Sequence, residues 1–334
     1  MIKEAFSKEC RRALVDWLGC VALAFCCGAA TGALAQAYPV RPIRIILPYG
    51  PGGNSDIAAR VLAQKLSESM RQQVIIDNRP GAGGIVATEL ARKAEPDGYT
   101  LLWLNSGHAV SVSLYKSLPY DPVRDFAPVS TVGFAALALL VNADSPLRSV
   151  TALVAFAKAN PVKFNIGITF VGSTNHVSAE LFKSMAGLET QVVPFKTTPA
   201  LVAAASGNEA QAIIEFISAV LPHVKSGALR ALGVTSDRRY AGLPDVPTLG
   251  EAGLPGYEAS AWNGVAVPVK TPRVVIDRLN REINAAIALP EVKQRLQDLG
   301  IDARGSTPES LRELLAAEIA KWKTVIEKAK IERR

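Results

Sequence analysis

The chain has 334 residues, of which 49% are hydrophobic, and its net charge is +7 with acidic and basic residues mixed along its length. This length suffices for one large domain or two of ordinary size. Only 6% of the residues are aromatic, and no dense run of lysine and arginine occurs between the two ends, so the basic and aromatic surface that binds single-stranded nucleic acid is missing. We therefore expect no nucleic-acid partner.

The first 35 residues are predicted to form a cleaved signal peptide. Basic residues precede a mostly apolar run that begins at Ala13, and Ala33-Leu34-Ala35 matches an A-x-A cleavage site. All four cysteines lie in this segment, so the exported protein is expected to have no disulfide and no cysteine-based metal site. The alternative interpretation of the segment is a retained amphipathic helix.

Residues 43–56, IRIILPYGPGGNSD, predict a strand, a glycine-rich turn and the beginning of a helix. A helix N-terminus presents free N–H groups and the positive end of a dipole. The turn that contains Tyr49, Gly52, Gly53 and Asn54 is therefore a candidate anion site. We predict that Asp56 caps the helix rather than binding a ligand.

The same plan recurs along the chain. Residues 74–94 predict a strand, a turn with three glycines and a helix, and residues 99–110 predict a strand that leads into a small polar turn. Residues 163–187 predict a strand, a Gly/Ser/Thr turn and a helix that ends at Gly187. This alternation predicts a mostly parallel α/β architecture.

The chain is predicted to fold into two α/β lobes with a cleft between them. Apolar strands within 137–146 and 260–268 are interpreted as crossings between the lobes, and the chain between them is long enough for a second lobe. The second lobe is then 140–259. The first lobe is discontinuous and consists of 36–139 and 260–334.

Three predicted turns offer backbone N–H groups and hydroxyls to a carboxylate at helix N-termini. They are Gly52-Gly53-Asn54, Asn105-Ser106-Gly107 and Gly172-Ser173-Thr174-Asn175. Ligands of open α/β sheets bind at the carboxyl ends of the strands, where these turns are expected. The convergence of the three turns predicts a carboxylate-binding cleft.

Motifs of common catalytic and cofactor sites are missing from the sequence. Residues 48–56 lack the G-K-[ST] of a P-loop, residues 80–87 lack the third glycine of G-x-G-x-x-G, and no G-x-S-x-G is present. The three histidines are scattered, with no metal-binding spacing. We predict no catalytic residue, metal or cofactor. His176, at a helix start, either faces the cleft or is bonded locally.

Long stretches of the chain carry a specific similarity. They include YPVRPIRIILPYGPGGNSDIAARVLAQKL, QQVIIDNRPGAGGIVATELARKAEPDGYTLLW and LPHVKSGALRALGVTSDRRYAGLPDVPTLGEAGLPGYEASAWNGVAVP. These stretches resemble the substrate-binding proteins of tripartite tricarboxylate transporters, also called Bug receptors. The resemblance covers essentially the whole exported chain.

The resemblance implies a two-lobe periplasmic binding protein, type II-like, that closes on a small carboxylate. In this family the carboxylate is held between the lobes, partly through ordered water, by turns that correspond here to residues 49–54 and 172–175, while residues 105–108 flank the cleft. The implied ligand is a di- or tricarboxylate, an amino acid or an aromatic acid. The implied partners are the membrane components of such a transporter or a sensor kinase, and we expect a monomer.

The chain departs from the pattern of the family at residues 195–197 and 209–211 and at two residues of the far wall of the cleft. Glu215 stands where an aspartate is often found on the far wall of the cleft, and Phe216 stands where asparagine is common. Glu215 is a candidate contact for a ligand amino group or a polar wall residue that sets the depth of the cleft, and Phe216 would favour an aromatic or aliphatic acid.

Two other functions stay open at this point. An exported hydrolase or isomerase built on a binding-protein scaffold is the first alternative to a receptor. A structural or signalling protein that has lost its ligand is the second.

Overall fold

The computed structural model describes residues 38–169 and 171–333. The predicted signal peptide and its cleavage site lie outside the described residues. All helices and strands discussed below belong to one compact unit, residues 41–334.

The described part of the chain contains eleven strands and ten α-helices. The strands are β1 Ile43–Leu47, β2 Val74–Asn78, β3 Thr100–Asn105, β4 Phe126–Ala135, β5 Leu137–Asn142, β6 Asn165–Thr169, β7 Gln191–Phe195, β8 Ala212–Phe216, β9 Leu229–Val234, β10 Ala261–Pro268 and β11 Ile301–Ala303. The helices are α1 Asn54–Met70, α2 Ile85–Arg92, α3 Ser106–Leu114, α4 Val150–Ala159, α5 Thr174–Ala186, α6 Thr198–Ser206, α7 Ile217–Lys225, α8 Arg273–Ala288, α9 Pro290–Asp298 and α10 Pro308–Lys328.

The strands form two separate sheets, which we call the first and second sheet. The first sheet has the order β11-β4-β10-β3-β1-β2, and the second has the order β7-β6-β8-β5-β9. This arrangement confirms the predicted α/β fold with two lobes, one built around each sheet.

The expectation of mostly parallel sheets is wrong, because both sheets are mixed. Strand β1 is parallel to β2 and β3, but β10 is antiparallel to β3 and β4. In the second sheet β6 is parallel to β7 and β8, whereas β5 is antiparallel to β8 and β9. Strands β5 and β10 each follow a passage from one sheet to the other, so they do not come from a strand-helix-strand repeat within one sheet. Strand β11 is also antiparallel to β4.

The two passages between the sheets fall directly before β5 and before β10. A single residue, Ala136, separates β4 of the first sheet from β5 of the second. The return runs through the irregular segment 235–260, where the amide of Ala259 donates to the carbonyl of Thr235 at 2.9 Å. We therefore propose Ala136 as the boundary between the lobes, a few residues before the position expected from the sequence.

Both sheets are buried between helices. Ile45, Ile46 and Leu47 of β1 have no exposed surface, as expected for a central strand that is covered on both faces. Helix α10 packs on α3 and β4 through buried residues that include Leu315 and Trp322. Among the described helices none is both long and apolar enough to span a membrane.

Candidate functional site

A cavity of about 860 Å³ lies between elements of the two sheets. Its lining includes ten of the twelve residues predicted from the sequence, namely Tyr49, Gly53, Asn54, Asn105, Ser106, Gly107, Gly172, Ser173, Thr174 and Asn175. Gly52 and Glu215 do not belong to the lining. The structure thus brings all three predicted turns to one place.

The first turn joins β1 to α1 and leaves the helix N-terminus without a side-chain cap. Gly53 is the N-cap, and no side chain bonds to the first amides of the helix. Gly52, with a φ of +88°, adopts a conformation that favours glycine, and its amide donates to Asp56 Oδ2 at 2.9 Å. The amide of Gly52 therefore braces the turn, while the N-terminus of α1 stays open towards the cavity.

The prediction that Asp56 is the N-cap is wrong, because the N-cap is Gly53, three residues earlier. Asp56 lies in the first turn of α1, where its carboxylate accepts from Gly52, from Asn78 Nδ2 at 2.9 Å and from Arg60 Nε at 2.9 Å. Burial acts to raise the pKa of Asp56, but these hydrogen bonds outweigh it and lower the pKa to about 2. The carboxylate is therefore ionised and its acceptor sites are occupied by protein donors.

The second turn joins β3 to α3 through a capping box. Asn105 Oδ1 accepts from the amide of Gly107 at 2.8 Å, and the amide of Asn105 donates to His108 Nδ1 at 3.2 Å. Asn105 is 4% exposed, and its Nδ2 group has no hydrogen-bond partner among the described residues. A buried amide donor without a protein partner at a cavity wall is unusual, because such groups are nearly always hydrogen-bonded.

The imidazole of His108 is held in one neutral form. Thr88 Oγ1 donates to the carbonyl of Gly84 at 2.8 Å, so the 3.0 Å contact between Thr88 Oγ1 and His108 Nε2 requires the proton on Nε2. Nδ1 then accepts from Asn105. Burial lowers the pKa of His108 to about 4, against a smaller opposing effect of its hydrogen bond with the Asn105 backbone. His108 is thus a positioning residue for the turn.

The third turn joins β6 to α5 and is held by local hydrogen bonds to both of these elements. Ser173 caps α5 by accepting from the amide of His176 at 3.3 Å, and its hydroxyl donates to the carbonyl of Thr169 at 2.7 Å. His176 Nδ1 accepts from the amide of Gly172 at 3.0 Å. Of the two roles left open for His176, the structure supports the local bond.

Several contacts connect the lobes across the cavity. Asn54 Nδ2 donates to Ser218 Oγ of α7 at 3.0 Å and to the carbonyl of Leu299 at 3.3 Å. The hydroxyls of Ser106 and Thr174 are 3.5 Å apart. The contacts of Asn54 with Ser218 and of Ser106 with Thr174 join the first lobe to a helix of the second, so they stabilise the arrangement of the lobes described here. The contact of Asn54 with Leu299 stays within the first lobe.

The expectation that Glu215 contacts the ligand is corrected by its position. Glu215 is only 2% exposed, and it lies behind Asn175, whose Nδ2 donates to Glu215 Oε1 at 2.7 Å. The same oxygen accepts from the amide of Phe216 at 2.7 Å, and Oε2 accepts from Thr198 at 3.2 Å. The carboxylate is occupied by these donors and supports the wall from behind.

Other lining residues were not predicted as site residues. They include the turn residues Gly81, Ala82, Gly83 and Gly84, together with Tyr115, Ser218, Trp262 and Asn263. The glycine-rich turn 81–84 was recognised in the sequence as a turn between a strand and a helix, which is the pattern of the other three turns. Tyr115 and Ser218 carried no local signal, because only the packing of distant elements brings them to the cavity.

The charge of the cavity wall is low. The residues that line it include no lysine, arginine or histidine, and Asp56 is their single charged member. Within residues 38–169 and 171–333, no group of three or more His, Cys, Asp and Glu is placed to hold a metal.

Two lobes joined by two passages, with amide donors and helix N-termini around the cavity between them, define a solute-binding protein. Comparison with known proteins agrees with this class. Residues 58–331 match the sequence profile of the tripartite tricarboxylate transporter family receptor, and the chain belongs to that family.

The chain is similar to several curated relatives over nearly its whole length. It is 39% identical to BugT of Bordetella pertussis over 301 residues. This alignment covers 90% of this chain and 92% of BugT. It is 38% identical to a UPF0065 protein of Pseudomonas sp. strain P51 over 307 residues. This alignment covers 92% of this chain and 91% of the relative.

Solved structures show the same fold. A protein of Rhodopseudomonas palustris solved with adipate has a TM-score of 0.74 and 33% identity, covering 89% of this chain and 100% of its own. MatC of the same organism, with bound malate, has a TM-score of 0.69 and 29% identity, covering 86% and 100%. The periplasmic binding protein BugD has a TM-score of 0.71 and 28% identity, covering 89% and 100%. These neighbours are solute-binding proteins rather than enzymes, and the chain is a solute-binding receptor of their family.

Proposed function

We propose that this receptor acts in the periplasm and binds a small carboxylate in the cavity between its lobes. The observation that carries the proposal is the buried, unpartnered Nδ2 group of Asn105 beside the uncapped N-terminus of α1. Together they offer fixed N–H donors to an anion in a largely buried site. The adipate and malate in the two related structures support the same ligand class.

The proposed mechanism is closure of the lobes on the ligand. Residues 49–54 and 105–107 belong to the first lobe and residues 172–175 to the second, so a ligand that contacts all three turns favours the closed state. The closed protein is proposed to deliver the carboxylate to the membrane components of a tripartite transporter. Delivery to a sensor kinase is the alternative destination, and loss of uptake in a strain without the receptor would distinguish the two.

Thermal unfolding of protein purified from the periplasm of an expression host tests the proposal. We expect one or more acids among hexanoate, benzoate, adipate, malate, citrate and glutamate to raise the unfolding temperature. A ligand at 100 times its dissociation constant stabilises the folded state by about 2.7 kcal/mol. Chloride and uncharged hexanol serve as controls. The absence of any shift, with no acid released by the denatured protein, would contradict the proposal.

Gly172 offers a test of closure. A Cβ at this position would lie 2.5 Å from Leu114 Cδ2, and its φ of +83° disfavours any other residue. Leu114 belongs to α3 of the first lobe, so the collision opposes the approach of the lobes. Gly172→Ala is expected to weaken binding of the best acid of the panel by about tenfold, or about 1.4 kcal/mol, as measured by calorimetry.

The double variant Gly172→Ala/Leu114→Ala isolates the steric part of that effect. It removes the collision but keeps the backbone strain at position 172. We therefore expect Gly172→Ala to lower the affinity less in the Leu114→Ala background than in the wild type. Equal losses in both backgrounds would show that the collision across the cavity plays no part in binding.

A further inference from the structure

One end of the cavity, beside the passage from the first sheet to the second, has an apolar wall. Ala135, Ala261 and Ile301 lie on three neighbouring strands, because Ala135 pairs with both Ala261 and Ile301. Phe216 pairs with Leu137, two residues after Ala135, and also lines the cavity. We call Ala135, Phe216, Ala261 and Ile301 the apolar wall.

The donors of the cavity lie mainly on its three helix N-termini. The helices α1, α3 and α5 begin at Asn54, Ser106 and Thr174, and all three of these residues line the cavity. A helix N-terminus carries about half an elementary positive charge. No lining side chain adds a positive charge, and the single lining carboxylate, Asp56, is paired with Arg60. The three N-termini together carry about one and a half elementary charges, which balances one carboxylate but falls short of two.

A second carboxylate at the end of a ligand that reaches the apolar wall would lie against apolar side chains. Burial of an ionised group without a partner costs several kcal/mol. An aliphatic or aromatic body at the same place would instead gain about 25 cal/mol for each Å² of apolar surface removed from water. The two halves of the cavity thus favour different parts of one ligand.

We infer, on the basis of the proposed function, that the preferred ligand is a monocarboxylate with an aliphatic or aromatic body. Its carboxylate accepts from Asn105 Nδ2 and the amides at the helix N-termini, and its body packs on the apolar wall. Phe216 is then the residue that discriminates against a second charge at the far end.

Matched pairs of acids test this inference by calorimetry on the purified receptor. Hexanoate and adipate share a six-carbon chain, and benzoate and terephthalate share a ring, so each pair differs only by the second carboxylate. We expect the monocarboxylate of at least one pair to bind at least about tenfold more tightly, equivalent to about 1.4 kcal/mol. The Phe216→Asn variant is expected to reduce that ratio several-fold.

The matched control is Phe156→Asn, on α4, where Phe156 is 40% exposed and outside the cavity lining. It is expected to leave the ratio unchanged. Tighter binding of the dicarboxylate in both pairs would overturn the inference while leaving the carboxylate receptor intact. Failure of every acid of the panel to bind would overturn the proposed function itself, and the inference with it.

Discussion

Replacing Thr174 by tryptophan is expected to abolish carboxylate binding without unfolding the protein. Thr174 is the first residue of α5, half-buried, and it lines the cavity opposite Ser106. The indole would occupy the space between the helix N-termini, where we propose that the carboxylate binds. The N-cap Ser173 is retained, so the helix keeps its first hydrogen bond. We expect at least about a 100-fold loss of affinity, or about 2.7 kcal/mol.

Calorimetry with the best acid of the panel measures the loss, and thermal unfolding without ligand checks the fold. The matched control is Thr324→Trp, because Thr324 is exposed on α10 and lies outside the cavity lining. It is expected to bind as the wild type does. Unchanged affinity of the Thr174→Trp variant would show that the ligand does not lie between these turns.

Acidification from pH 7 to pH 4 is expected to remove up to about 3 kcal/mol of stability through His108. Burial holds its pKa at about 4 in the folded protein, compared with 6.5 for an ordinary histidine. Between these values the unfolded chain binds a proton that the folded protein does not, so stability rises with pH. The contribution of neutral His108 to the free energy of unfolding is fully present above pH 6.5 and is lost as the pH falls towards 4. Each pKa unit corresponds to about 1.36 kcal/mol.

The His108→Gln variant separates this titration from that of other groups. Glutamine at the third position of a helix can complete a capping box, so its side-chain oxygen is expected to accept from the amide of Asn105. Urea unfolding at several pH values should show the wild type losing more stability than the variant between pH 6.5 and 4. The His223→Gln variant, at the end of α7, controls for loss of a histidine. Parallel curves for wild type and His108→Gln would contradict the assignment.

Features that depend on neighbours in the chain could be predicted from the sequence. The predicted strand 43–47 and the glycine-rich turn after it are present. Helix α5, with the predicted C-cap Gly187, is present as well. The three turns were also found, because a strand, a turn and a helix follow one another within about fifteen residues. The local error, Asp56 in place of Gly53 as the N-cap, is a shift of the helix start by three residues.

The tertiary structure decided the features that depend on residues far apart in the chain. Asn54 and Ser218 are separated by 164 positions, and no periodicity or motif relates them. The carboxylate of Glu215 is the type of group that could contact a ligand amino group. Hydrogen bonds from Asn175 and Thr198 hold it inside the second lobe instead.

The same distinction applies to the sheets and to the cavity. The sequence determined that strands and helices alternate and that anion-binding turns lie at helix N-termini, because hydrophobic periodicity and turn residues act over a few positions. Packing alone decided the direction of β5 and β10 and brought the residues of the apolar wall together. Both features depend on where the chain passes between the sheets. The tertiary packing also determined which polar groups are occupied by protein partners and which, like Asn105 Nδ2, are buried without one.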